Sequence, residues 1–162
     1  MNVTVATEDG GADDGQAAFG AAVRLLALRE HTRLELQRKL VARGWRNPTL
    51  NATLDRLEGE GLLSDYRFAG LLLAQRVRRG YGPLKVRAEL AQRGVDAQIV
   101  ERIFDESDVD WPVCLRDTAA RRFGADEGAI DHRERVRRGR QLTQRGFPVS
   151  LVRNYLDTLA RA

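Results

Sequence analysis

Apolar residues fall at helical intervals almost from the start of the chain. Phe19, Val23 and Leu26 share one helix face, as do Leu36 with Leu40, and Leu50, Leu54 with Leu57. Polar positions fill the gaps, which is the signature of amphipathic helices. Residues that start or stop helices stand between the stripes. Thr32 with Glu35 makes a capping box, Asn47-Pro48 reads as a cap followed by the first helical position, and Gly44 and Gly61 are placed to end helices. Three helices are expected between residues 17 and 63.

The same plan returns twice. Leu40-Val41-Ala42-Arg43-Gly44, Leu90-Ala91-Gln92-Arg93-Gly94 and Leu142-Thr143-Gln144-Arg145-Gly146 recur at spacings of 50 and 52 residues. Each glycine is followed by an apolar residue (Trp45, Val95, Phe147), then by Leu50 and Leu54, Val100 and Phe104, or Val152 and Leu156, and finally by Asp55, Asp105 or Asp157. A second unit opens at Ser64-Asp65, breaks at Gly80-Tyr81-Gly82-Pro83 and restarts after Asp96; a third has helix from Pro112 to Phe123, a break at 125–128, and Arg138 where Leu36 and Val86 stood, with Gly139 beside it. That irregularity predicts the least well packed or most mobile unit.

One short helix buries too little to be stable alone, so three packed around a small core, unit against unit, is the economical solution. The expected fold is all-α, an elongated tandem array of three three-helix repeats with about nine helices, divided at 17–63, 64–108 and 109–162. Residues 1–16, rich in Gly, Asp, Ala and Thr, are expected to form a disordered acidic tail. A body of this kind offers a long face to a partner and lacks a deep apolar pocket.

Charged residues make up 31% of the chain and aromatics 6%, which suits helices with wide solvated faces. The net charge is +4, yet Glu8, Asp9, Asp13 and Asp14 all lie in the expected tail, so the folded part is more basic still. Only Lys39 and Lys85 are lysines; the rest of the positive charge is arginine. Such a balance points to an anionic partner, nucleic acid or a nucleoprotein surface. Cys114 is the sole cysteine, which excludes an internal disulfide and a cysteine-based zinc site and fits a reducing, cytoplasmic setting. No membrane is expected, because Leu71-Leu72-Leu73-Ala74 soon meets Gln75 and Arg76, and the start of the chain lacks the basic and apolar parts of a signal peptide. A charged surface of this kind favours a monomer.

Chemistry is sparse. His31 and His132 have no second ligand in a metal-binding arrangement and read as surface or capping residues. Cys114 has no histidine near it in sequence and reads as a small packed hydrophobe. Gly80-Tyr81-Gly82-Pro83 matches no phosphate-cradling motif and reads as a tight interhelical turn, and the paired carboxylates have no apolar pocket around them. No catalytic, cofactor-binding or metal-binding residues are expected. Basic surface remains. Arg76, Arg78 and Arg79 precede that turn and Lys85, Arg87 and Arg93 follow it, flanking an exposed Tyr81 in a way that suits a phosphate backbone or an acidic protein surface. Arg133, Arg137 and Arg140 line one face of another helix, with Arg121 and Arg122 upstream. Trp45 and Trp111, near helix junctions, read as core anchors.

Three stretches together resemble a known family. Arg29-Glu30-His31-Thr32-Arg33-Leu34-Glu35-Leu36 leads into Lys39-Leu40; Ser64-Asp65-Tyr66-Arg67-Phe68-Ala69 follows Leu57-Glu58-Gly59-Glu60-Gly61-Leu62-Leu63; then come Arg79-Gly80-Tyr81-Gly82-Pro83, Glu89-Leu90 and Arg93-Gly94. In this order they resemble RecX, a bacterial regulatory protein, over roughly residues 20 to 108, with the last fifty residues similar by pattern only. The resemblance implies tandem three-helix units and a partner, the RecA filament, in whose helical groove the protein lodges. It also implies inhibition of recombinase, strand-exchange, ATP-hydrolysis and co-protease activities, without catalysis by the protein itself. The acidic N-terminal tail and the irregular third unit depart from the family pattern. A competing expectation is a stand-alone helical protein that binds single- or double-stranded DNA directly through its arginines.

Overall fold

The computed structural model describes residues 10–124 and 130–159, the first four of them as backbone only. Nine helices and no strands are found among the described residues: α1 Gly10–Leu28, α2 Arg33–Ala42, α3 Thr49–Gly59, α4 Asp65–Arg78, α5 Pro83–Gln92, α6 Ala97–Glu106, α7 Trp111–Phe123, α8 His132–Gln144 and α9 Val149–Leu159. They form three successive three-helix sets, as the repeated pattern predicts. None of these helices is long and apolar enough to cross a membrane. By packing the chain divides differently, into one compact unit of residues up to Phe68 together with Arg93–Asp96, and another of Ala69–Gln92 together with the residues from Ala97 on.

In the first unit Ala18, Ala21, Ala22 and Leu25 of α1 are buried, their small side chains allowing close helix approach. Leu36, Leu40, Leu50, Leu54, Leu57 and Leu63 complete the core at 0–3% exposure. Each such leucine contributes about 1.5–3 kcal/mol of hydrophobic stabilisation before ordering entropy is subtracted. Thr32 caps α2, its Oγ1 accepting from the Glu35 N–H at 3.1 Å. The box is only half closed, because the Glu35 carboxylate turns to Arg29 and Arg93 instead of the cap.

The structure corrects three expectations. Helix α3 starts at Thr49, so Pro48 is its cap and not its first residue; no side chain caps it, and the Leu50 N–H bonds the Arg46 carbonyl at 3.0 Å. His31 is not on the surface but 2% exposed, its Nδ1 2.9 Å from the Arg29 carbonyl oxygen. The expected tail is cut short by α1, which begins at Gly10, while residues 1–9 lie outside the described residues. Asp14 accepts from Trp45 Nε1 at 3.2 Å and Gln16 from Arg56 at 3.3 Å, contacts that extend the helix into a polar stretch.

In the second unit Leu72, Leu73, Val86, Leu90, Val100 and Ile103 are buried, and a further cluster joins Leu115, Ala119, Leu142, Phe147, Val152, Leu156 and Leu159. Asp110 and Asp131 cap α7 and α8 through the N–H groups of Val113 and Glu134. Arg138, in the place of Leu36 and Val86, is 7% exposed, ion-paired to Glu134 at 2.8 Å and set against the Phe123 ring at 4.9 Å. A buried cation is tolerable only with such partners. The break read at 125–128 lies outside the described residues. The recurring aspartates also find a use, since Asp55 pairs with Arg33 and Asp157 with Arg135, while Pro83 holds the arginine's place in the middle repeat.

Candidate functional site at the second repeat junction

Two junctions in the molecule are built from repeat-equivalent residues. At the first, inside the first unit, the start of α2 meets the turn at Arg93–Gly94. Thr32 Oγ1 donates to the Arg93 carbonyl at 2.7 Å, and Leu34 packs so close that a Cβ on Gly94 would lie 2.4 Å from its Cδ2. Glu35 closes the contact by accepting from Arg93, and from Arg29 at 3.0 Å. Burial alone would raise the Glu35 pKa, but hydrogen bonds from Arg29 and Arg93 outweigh it and hold the carboxyl below its usual range.

At the second, inside the second unit, the start of α5 meets the turn at Arg145–Gly146. The Gly82 N–H donates to the Arg145 carbonyl at 2.8 Å and the Leu84 N–H to the Gly146 carbonyl at 3.0 Å. A Cβ on Gly82 would sit 2.4 Å from Gly146 backbone, and one on Gly146 (φ +91°) 2.4 Å from Lys85 Cβ. The approach of a helix start to an Arg-Gly turn is thus repeated, with the Gly82 N–H in place of the Thr32 hydroxyl on the arginine's carbonyl, but the charges are not. Lys85 stands where Glu35 stood, opposite Arg145 in the place of Arg93, and Tyr81 replaces His31. The Tyr81 ring, half-buried and not exposed as expected, has Lys85 Nζ at 5.1 Å, the Arg145 guanidinium carbon at 5.3 Å and that of Arg76 at 5.9 Å from its centroid. Arg76 is neutralised by a two-pronged pair with Glu89 at 2.6 and 2.7 Å, which raises its pKa. Arg145 Nη1 donates to the carbonyls of Arg79 and Gly80 at 2.9 and 3.3 Å, and no carboxylate reaches Arg145 or Lys85 among the described residues.

A family model for the first three-helix domain of RecX matches residues 18–57, and one for its second three-helix domain matches residues 64–102. The regulatory protein RecX of Pseudomonas syringae pv. tomato is 45% identical over 136 residues, covering 84% of this chain and 87% of the relative. That of Halorhodospira halophila is 43% identical over 138 residues, covering 85% of each. The chain belongs to the RecX family. Its fold also matches the crystal structure of RecX from Lactobacillus salivarius with a TM-score of 0.75 at 21% identity, over 93% of this chain and 99% of that one. Membership of the RecX family supports a regulatory role.

Within this RecX fold the ten candidate residues divide. Arg78, Arg79 and Lys85 are exposed and make no ion pair among the described residues, and the same holds for Arg133 and Arg140 on α8. Arg76, Lys85 and Tyr81 are brought together. Arg87 is not part of that group: it pairs with Glu101 and lies 4.0 Å over the Phe104 ring. Arg93 belongs to the first junction, with Glu35 and, at 5.7 Å, the Phe68 ring. Arg137 is held by Glu134 at 2.7 Å, and the hydrogen bonds from Arg137 and Arg138 depress the Glu134 pKa to about 2. Arg145 is the residue sequence reasoning missed. Its signal was the repeat motif itself, which places an arginine before each turn glycine at 43, 93 and 145.

Elsewhere, no group of three or more metal-type ligands is gathered among the described residues. Burial, followed by Asp117 and Asp110, pushes the half-buried Cys114 thiol up, away from the thiolate form a nucleophile requires. Trp111 stacks on Phe104 with centroids 5.9 Å apart, and Trp45 packs on the leucine core, both as anchors.

Proposed function

We propose that this protein binds the RecA nucleoprotein filament, in its helical groove, and inhibits recombinase, ATPase and co-protease activities, so modulating recombination, DNA repair and the SOS response. It acts in the cytoplasm, as a monomer and without catalysis of its own. Kinship with RecX proteins carries this reading, and the cations left without carboxylates at the second junction support it, since a filament groove presents anionic surface to a bound protein. Three repeats, at 17–63, 64–108 and 109–162, would spread many modest contacts over several filament subunits, where avidity replaces a single tight site.

The test is single-strand-DNA-dependent ATP hydrolysis by the cognate RecA with this protein titrated in. Inhibition well below one molecule per RecA subunit, without sequestration of the DNA, is the expected result. Unchanged hydrolysis at equimolar protein, together with salt-sensitive binding to naked DNA, would replace the reading by the second one, a stand-alone DNA-binding protein, which the same unpaired cations favour.

A further inference from the structure

We infer that the second repeat junction is a binding site for a phosphodiester group of a nucleic-acid strand, held by Lys85 and Arg145 beside Tyr81. The inference deepens the nucleoprotein reading above and rests on it for the choice of ligand.

The first junction serves as an internal control. The Arg-Gly turn recurs at both, and each time the arginine's carbonyl accepts a hydrogen bond from the helix start, Thr32 Oγ1 or the Gly82 N–H, so the turn alone does not demand a cation at position 85; Glu35 fills the equivalent place and accepts from Arg93 and Arg29. With Lys85 there, two positive groups sit about the same ring, and the Glu89 carboxylate is engaged by Arg76. Two cations beside one ring repel, and an anion bound by both offsets the repulsion. Arg145 is already oriented: its Nη1 is tied to two carbonyls, and its remaining N–H groups have no protein acceptor among the described residues. A guanidinium fork fixed in this way suits a tetrahedral phosphate, and the lysine adds a point charge. Arg78 and Arg79 continue the positive charge along the chain into the turn. Cations around an aromatic ring form the usual surface for a single strand, which is why a phosphodiester fits better than an acidic peptide.

The decisive comparison is K85E against K39E. Both reverse one exposed lysine, but Lys39 lies on α2 in the first unit and belongs to neither the turn nor the helix start of the second junction. Binding of fluorescent oligothymidylate to the full chain without RecA is followed by anisotropy over a salt series. K85E should weaken binding about tenfold and flatten the salt slope by about 0.7 for each phosphate that is no longer neutralised, with K39E changing both far less. K85Q should fall between wild type and K85E. Because K85E recreates the Glu35–Arg93 charge pattern, its melting temperature should hold or rise, so weaker binding is not a failure to fold. Equal weakening by K85E and K39E, or no binding by the wild type, overturns the site. If K85E instead abolishes inhibition of RecA while oligothymidylate binding stands, the residues meet RecA itself and the phosphodiester assignment falls. Conversely, a site that binds oligothymidylate in a protein that never inhibits RecA leaves the inference intact and removes the filament reading.

Discussion

The two junctions share an Arg-Gly turn met by a helix start and differ in charge, and that difference separates what the fold requires from what it leaves over. At the first, Thr32, Leu34 and Glu35 engage Arg93–Gly94, with the Glu35 carboxylate paired to Arg93 and Arg29. At the second, Gly82 and Leu84 engage Arg145–Gly146 through two backbone hydrogen bonds, with Lys85 and Arg145 lying 5.1 and 5.3 Å from the Tyr81 ring centroid. A closely packed turn glycine and a hydrogen-bonded arginine carbonyl are therefore what the two junctions have in common. Side-chain charge at position 35 or 85 is free to serve stability in one place and binding in the other.

The backbone half of that comparison is the easiest to break. G82A places a methyl 2.4 Å from the Gly146 backbone, which cannot yield as a flexible side chain would. A loss of about 3 kcal/mol or more is expected in chemical denaturation. G44A, at the first-repeat turn that corresponds to Gly146, meets nothing within 4 Å and carries only the strain of its φ of +105°, about 1–2 kcal/mol. Equal losses would show that the close contact at Gly82 costs no more than the backbone strain at Gly44.

Charge swaps sharpen the other half. E35K sets a lysine beside Arg29 and Arg93 and should cost about 1–2 kcal/mol, moderated because both arginines are partly exposed. K85E should gain up to about 0.5 kcal/mol by offering Arg145 a partner. Destabilisation by both substitutions would mean that the second junction is stabilised by its cations in some other way.

The smallest expected effect is in pH, and it belongs to the first junction. Burial lowers the His31 pKa, only partly countered by the hydrogen bond with Arg29. The unfolded chain then binds the proton more readily, so stability falls as pH drops below the ordinary histidine value of about 6.5. Glu35, whose folded pKa is depressed, adds stability above its unfolded value of about 4.3, which is lost as pH falls further through the folded one. Asp65 is pushed up by burial despite accepting from the Arg33 N–H, and so opposes that second loss. Melting temperatures between pH 7 and 5 should decline in the wild type and stay flatter in H31Q; parallel profiles would remove His31 from the account.

Much of this was legible in the chain. Helix period, turn glycines and the recurrence of Leu-x-x-Arg-Gly locate the helices and both turns, because they are local properties of backbone and apolar spacing. Other features were hidden. His31 has a polar name and a buried address; Trp45 holds α1 to Asp14 inside a stretch whose composition alone suggests disorder. Arg145 lies 64 residues from Tyr81 in sequence and reaches its ring only through the fold.

By itself the sequence determined an all-helical chain of three similar units, its core leucines and its excess of arginine, since each follows from short-range periodicity and composition. Only the tertiary structure decided which arginines are spent. Arg76, Arg87, Arg93 and Arg137 meet carboxylates, whereas Lys85 and Arg145 share the Tyr81 ring without one among the described residues. Pairing depends on distances of a few ångströms between residues far apart in the chain, and Coulomb energy at that range is set by the fold, not by the count of charges.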